Sequence, residues 1–132
     1  VEKNGQLCKC GRRGCLETKV SYAALCKIAP FAEDAFGETF CKNLGNLVGR
    51  QFVDALDLFA RSIVNSATIM APNRIILTGN LFESPEVRKA LIQACASYDA
   101  SLGQDRIIYS ELAQKEHYIG AAAICTKMLL FS

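Results

Sequence analysis

Three cysteines, Cys8, Cys10 and Cys15, lie close together near the start of the sequence. Thiolates at this spacing can face one centre only if the backbone turns sharply, and Gly11 and Gly14 permit such a turn because glycine adopts positive φ at little cost. Three sulfur ligands and one further donor make an ordinary tetrahedral zinc site. The spacing therefore predicts a zinc knuckle, and the alternative is a metal-free turn with three free thiols.

The remaining cysteines indicate a reducing environment. The chain has 7 cysteines, and an odd count with several members in helix-like segments disfavours a disulfide framework. Free buried thiols are typical of cytoplasmic proteins, so we expect a cytoplasmic location. The cysteines outside the knuckle are Cys26, Cys41, Cys95 and Cys125.

Size and charge exclude several classes of protein. At 132 residues and a net charge of +2, the chain is one domain or part of one, and its scattered Lys and Arg form no nucleic-acid footprint. No apolar run approaches the length of a membrane span, and no leader pattern is visible. Because the chain begins at Val1 without an initiator Met, we expect it to be a piece of a longer protein.

The elements that would position the knuckle are mostly helical. Hydrophobic periodicity and capping signals predict an α/β fold that is helix-rich and has two short strands. That is too few for a complete sheet, so we expect neighbouring strands from other polypeptide and describe 1–132 as a single partial domain with a knuckle segment at 1–16. The predicted helices cover 17–29, part of 30–45 with a break at Gly37, 46–71, 84–100 and 118–130, and the predicted strands cover 75–77 and 106–110.

The helix predicted over 46–71 has the clearest pattern. Apolar residues recur there at three- and four-residue steps, the spacing of one helix face, and we expect this face to pack on the core. Asp54, Asp57 and Arg61 should point elsewhere. The members of the apolar face are Phe52, Leu56, Phe59, Ile63, Ala67 and Met70.

Gly79 and Asn80 follow the first predicted strand. A glycine turn at this place can bring backbone N–H groups to a nucleotide, so these two residues are candidate nucleotide contacts. The alternative is that they only form the turn before a helix capped by Ser84.

Taken together, these motifs resemble a known family. The segment from Gly5 to Glu17 reads G-x-x-C-x-C-G-x-x-G-C-L-E and resembles the signature of the ROK family (repressors, open reading frames and sugar kinases). Residues 71–79 (APNRIILTG) and 119–122 (IGAA) are similar to that family's strand-and-turn and closing-helix motifs. The resemblance covers essentially the whole chain, but only the C-terminal part of a family member.

The resemblance implies a fold and a set of site residues. The fold would be the C-terminal portion of an actin-like, or ribonuclease H-like, ATPase lobe, with the sugar between two lobes. The cysteine triad would bind zinc together with a histidine upstream of Val1, and Glu17 would hydrogen-bond sugar hydroxyls. The alternative for Glu17 is an acidic group that complements a helix dipole. Family kinases usually have Gly-Gly where this chain has Gly79-Asn80. The phosphate loop and catalytic aspartate would also lie upstream, so we expect no activity from this chain alone.

Two functions follow from this resemblance. The first is the effector-binding part of a sugar-responsive transcriptional regulator, which would reach DNA only through an N-terminal domain outside this chain. The alternative is part of an ATP-dependent hexose kinase of the glucokinase or fructokinase type, and only then would ATP be a cofactor. A third hypothesis is a structural or oligomerisation module. We expect a sugar ligand, a homo-oligomer and no membrane partner.

Overall fold

Helices dominate the computed structural model, which describes residues 2–111. The helix predicted over 118–130 lies outside the described residues. The α-helices are α1 (Glu17–Val20), α2 (Tyr22–Leu25), α3 (Phe36–Asn43), α4 (Leu47–Met70) and α5 (Pro85–Tyr98), the strands are β1 (Ile75–Leu77) and β2 (Ile107–Tyr109), and short 3-10 helices cover Glu33–Ala35 and Asn80–Phe82.

Helix α4 is the axis of the core, as its periodicity predicts. Phe52 is fully buried and Leu56 and Ala67 nearly so, and burying a side chain such as Phe52 contributes about 1.5–3 kcal/mol. The prediction for Met70 is wrong, because this residue is 77% exposed at the end of the helix. Within residues 2–111, no helix combines the length and apolar character that a bilayer crossing requires.

Helix α5 packs along α4 and connects the two strands. Strands β1 and β2 pair in parallel, with Ile75 opposite Ile107 and Leu77 opposite Tyr109. The α-helix between them and the parallel pairing confirm the α/β prediction for this part of the chain. Ile76 is 59% exposed, so the strands are less buried here than the sequence predicts.

The predicted helix over 17–29 is two short helices instead. Ser21 breaks it, with extended backbone angles of φ −68° and ψ 157°. Its hydroxyl oxygen accepts a hydrogen bond from the Ala24 N–H at 3.3 Å, so Ser21 is the N-cap of α2. This break places Glu17 and Tyr22 in separate helices.

Gly37 does not break the helix that contains it. It lies in the first turn of α3, where a Cβ atom would overlap the side chain of Ser84. Glycine is present because α3 and the start of α5 approach closely at this point, so the predicted break is wrong.

Candidate functional site

The knuckle is a tight backbone loop. Leu7 and Arg13 form an isolated antiparallel bridge. Inside it the Cys8 N–H donates to the Arg12 carbonyl at 2.8 Å and the Gly11 N–H donates to the Cys8 carbonyl at 2.9 Å. These bonds fold the chain back on itself and direct cysteines from both sides of the turn towards one point.

Both glycines of the turn adopt the left-handed conformation. Gly11 has φ of +83° and Gly14 of +67°, a region that glycine enters without a Cβ penalty. A Cβ atom at Gly14 would also overlap the Glu2 carbonyl oxygen, whereas one at Gly11 would meet nothing within 4 Å. Gly14 is therefore required by both its conformation and its packing.

The three sulfurs of the cysteine triad converge. Their Sγ atoms all lie within 4.8 Å of one another, and those of Cys10 and Cys15 are 3.5 Å apart. Tetrahedral zinc with bonds of about 2.3 Å to sulfur places two sulfurs about 3.8 Å apart. Type and spacing of the donors therefore fit three of the four ligands of a zinc ion.

Contacts among the thiols shift the pKa values of Cys10 and Cys15 in opposite directions. Hydrogen bonds from the Arg12 backbone N–H and from the Cys15 and Cys8 thiols lower the pKa of Cys10. Hydrogen bonding to Cys10, together with burial and the Cys8 thiol, raises the pKa of Cys15 to about 11. Cys10 is therefore the first of this pair to become the thiolate that a metal binds.

Cys95 behaves differently from the triad. Its side chain is fully buried in the core, and this burial raises the pKa of its thiol to about 11. Cys95 is therefore a neutral core residue, as the sequence predicts. The same prediction is wrong for Cys41, which is exposed, and Cys26 is only half-buried.

Glu17 stands next to the triad at the start of α1. The Cys8 Sγ lies 3.8 Å from the Glu17 Oε2, while the Glu17 side chain remains exposed. Glu17 borders a cavity of about 320 Å³. The other residues that line this cavity are Gln6, Leu7, Cys8, Lys9, Thr18, Ser21, Tyr22, Ala23, Ala24 and Lys27.

Gly79 and Asn80 line a second cavity, of about 290 Å³. Gly79 has φ of +104°, and a Cβ there would meet nothing within 4 Å. Asn80 begins the 3-10 helix that follows, so the turn needs only one glycine and an asparagine in second place does not disturb the backbone. The structure thus places these candidate nucleotide residues in a different cavity from that of Glu17.

Tyr22 was not among the sequence-predicted site residues, although it borders both cavities. Its hydroxyl donates to the Phe31 carbonyl at 3.0 Å, and its ring packs edge-to-face on Phe31 at 5.5 Å between centroids. The sequence predicted only that Tyr22 lies on one face of a continuous helix over 17–29. It did not predict that a new helix would begin after Ser21.

A model of the ROK family matches residues 1–128. The chain belongs to the ROK family. Its fold is similar to that of the crystal structure of a ROK hexokinase from Thermus thermophilus, with a TM-score of 0.68 and 21% sequence identity. The similarity covers 85% of this chain and 40% of that enzyme, so the chain spans about two fifths of its length. A search of curated proteins found no match.

This likeness confirms the predicted helix-rich fold with two short strands, while the zinc knuckle within it stays a prediction. The described residues have the helix-rich architecture of the matching part of an actin-like ROK protein, as expected from the motif between Gly5 and Glu17. At 21% identity the comparison concerns the fold, so the roles of Glu17, Gly79 and Asn80 stay predictions.

Proposed function

We propose that this chain is the hexose-binding C-terminal part of a ROK sugar kinase, in which Glu17 hydrogen-bonds sugar hydroxyls. The observation that carries the proposal is the position of Glu17, with its carboxylate against the cysteine triad and beside a cavity of about 320 Å³. A carboxylate accepts hydrogen bonds from two neighbouring hydroxyls at once, which is the pattern that a sugar offers.

In this proposal zinc has a structural role. Cys8, Cys10 and Cys15 would hold the ion, and bound zinc would supply folding free energy to a loop with few apolar contacts. The loop in turn fixes Cys8, whose sulfur contacts Glu17. Positioning a binding group through such supporting contacts lowers the entropy lost when ligand binds.

The kinase assignment has support from a second cavity. Gly79 and Asn80 border a space of about 290 Å³ that shares Tyr22 with the Glu17 cavity. A phosphoryl donor in the second cavity would therefore be adjacent to a sugar in the first. The phosphate loop, the catalytic aspartate and the fourth zinc ligand would come from polypeptide outside this sequence.

A sugar-responsive transcriptional regulator is the second candidate. From the sequence alone it is the first hypothesis. Asn80 favours it, because family kinases usually have a second glycine at this position and Asn80 lines the proposed nucleotide cavity. The likeness to a hexokinase and the undisturbed turn at Gly79 favour the kinase.

A turnover assay on the whole protein that contains this chain decides between the two candidates. We expect hexose-dependent conversion of ATP to ADP with glucose, fructose or N-acetylmannosamine. Sugar binding without turnover would overturn the kinase assignment and leave the regulator. Absence of binding to all three sugars would overturn the role of Glu17 in both.

A further inference from the structure

Cys10 and Cys15 are arranged for a reaction with each other. Their sulfurs lie 3.5 Å apart, in an exposed contact. Cys10 is exposed and Cys15 half-buried, while Cys8 is buried beneath the loop with a relative accessibility of 7%. Solvent therefore reaches the three sulfurs unequally, and Cys10 is the one that a dissolved reagent meets first.

We propose that Cys10 and Cys15 form an oxidation site for hydroperoxides, in which a reversible disulfide removes two of the three sulfurs from the metal-binding triad. This inference goes beyond the proposed function and does not depend on which sugar the protein binds. It rests on the distance between the two sulfurs and on their different exposure.

The reaction balances in two steps. The Cys10 thiolate attacks one oxygen of the hydroperoxide. The O–O bond breaks, an S–O bond forms, and the other oxygen leaves as water or an alcohol after taking a proton, so that Cys10 becomes a sulfenic acid. The Cys15 sulfur then attacks the Cys10 sulfur. The S–O bond breaks, the S–S bond forms, and the hydroxyl leaves as water with the proton of Cys15.

The knuckle can accommodate this disulfide. The sulfurs must approach each other by about 1.5 Å to reach a bond length of about 2.05 Å. The backbone between them already turns through Gly11, with φ of +83°, and the Cys8 N–H to Arg12 carbonyl bond closes the loop independently of the sulfurs.

Oxidation would act on the proposed sugar site through the metal. After disulfide formation Cys8 is the single remaining thiol of the triad, and one sulfur does not provide a tetrahedral zinc site. Zinc release would remove the metal bonds that fix Cys8, whose sulfur lies 3.8 Å from the Glu17 carboxylate. We therefore expect oxidised protein to lose zinc and to bind sugar more weakly.

Peptide mapping tests the proposal directly. Trypsin cleaves after Lys and Arg, and the sequence places the three cysteines on separate peptides. Residues 4–9 carry Cys8, residues 10–12 carry Cys10, and residues 14–19 carry Cys15. Protein is treated with hydrogen peroxide up to the concentration at which exposed Cys41 is modified, and is then blocked, digested and analysed by mass spectrometry.

We expect a dominant cross-linked product of peptides 10–12 and 14–19, which dithiothreitol reverses. The product should persist in the Cys8→Ser variant and disappear in Cys10→Ser. A dominant cross-link to peptide 4–9, a sulfinic acid on Cys10 without a cross-link, or a reduced triad when Cys41 is already oxidised would each overturn the proposal.

A zinc-sensitive dye provides the second readout. Zinc-loaded protein should release one ion for each disulfide formed, and Cys41→Ser, which leaves the triad intact, should release zinc to the same extent. If the disulfide forms while zinc stays bound, the proposed effect on the metal is wrong. Protein that binds no zinc would contradict the zinc site, while peptide mapping would still decide the oxidation proposal.

Discussion

Glu17 is the residue on which the proposed sugar site depends. It is exposed and contributes little to packing, so a change there should affect binding more than folding. Its neighbour Cys8 is buried, and the contact between them couples the carboxylate to the knuckle. Sequence spacing alone places Glu17 two residues after Cys15 but cannot tell which of the three sulfurs it contacts.

Replacing Glu17 by Gln should weaken sugar binding. Hydrogen bonds to a charged group contribute about 1.5–3 kcal/mol, so we expect the dissociation constant to rise about 10-fold to 100-fold, with little change in thermal stability. Isothermal titration calorimetry on the whole protein measures the dissociation constant for the sugar, and thermal unfolding measures the stability.

Glu38→Gln is the matched control for this change. Glu38 is an exposed glutamate on α3 that pairs with Lys42 at 3.8 Å and does not line the Glu17 cavity. Equal effects of the two substitutions on sugar affinity would contradict the assigned role of Glu17.

The knuckle loop offers a test at the scale of an element, because Gly14 and Gly11 differ in their surroundings. Both have positive φ, so alanine strains the backbone at either position. Only at Gly14 would the added Cβ overlap the Glu2 carbonyl oxygen. We expect Gly14→Ala to lower zinc affinity clearly more than Gly11→Ala, in a competition titration with a chromogenic chelator. Equal loss of zinc affinity in both variants would show that backbone strain alone, without the overlap at Glu2, accounts for the effect.

The start of α5 provides a stability prediction. The Ser84 hydroxyl oxygen accepts a hydrogen bond from the Val87 N–H at 3.5 Å, and loss of such a cap costs about 1 kcal/mol. We expect Ser84→Ala to lower the free energy of unfolding in urea by about this amount. Ser97→Ala is the control, because its hydroxyl only donates to the Ala94 carbonyl within the same helix.

The loss of stability caused by Ser84→Ala should depend on pH. The Ser84 hydroxyl donates to the Glu86 carboxylate at 2.7 Å and, with the Glu86 backbone N–H, lowers the pKa of Glu86 below its ordinary value of 4.5. A lowered pKa means stabilisation that is present above the unfolded-state pKa and is lost as pH falls through the folded-state pKa. The difference in the free energy of unfolding between wild type and Ser84→Ala should therefore become smaller at acidic pH. A constant difference between pH 7 and pH 3 would contradict the contribution of Glu86.

The sequence predicted which segments are helices and strands. It did not predict where one helix is divided in two or which helices approach each other closely. The apolar spacing in α4 and the Ser84-Pro85-Glu86 start of α5 gave the two long helices nearly in full, because periodicity and caps are local signals. The predicted break at Gly37 was wrong, and the helix predicted over 17–29 was not divided at Ser21, although a serine there is a plausible cap. At Ser21 the cap formed inside a helix-like pattern, and at Gly37 the glycine serves a tertiary approach to Ser84, which no local pattern reports.

At the scale of the whole molecule, much of the proposed machinery would lie in polypeptide outside this sequence. The chain covers 40% of the hexokinase it resembles, and its two strands form only a two-stranded sheet among the described residues. Exposed apolar side chains, including Ile69 and Ile76, fit a surface that other polypeptide covers in a complete ROK protein. Activity and oligomeric state therefore belong to the whole protein and stay predictions.

Metal content tests the central claim, that the cysteine triad is a zinc site supporting Glu17. We expect reduced whole protein, purified without chelators and analysed by inductively coupled plasma mass spectrometry, to carry one zinc ion per chain. The Cys10→Ser variant should lose most of this zinc, and Cys41→Ser, which changes an exposed cysteine on α3, should retain it. Zinc-free wild-type protein, or equal zinc in all three proteins, would contradict the account.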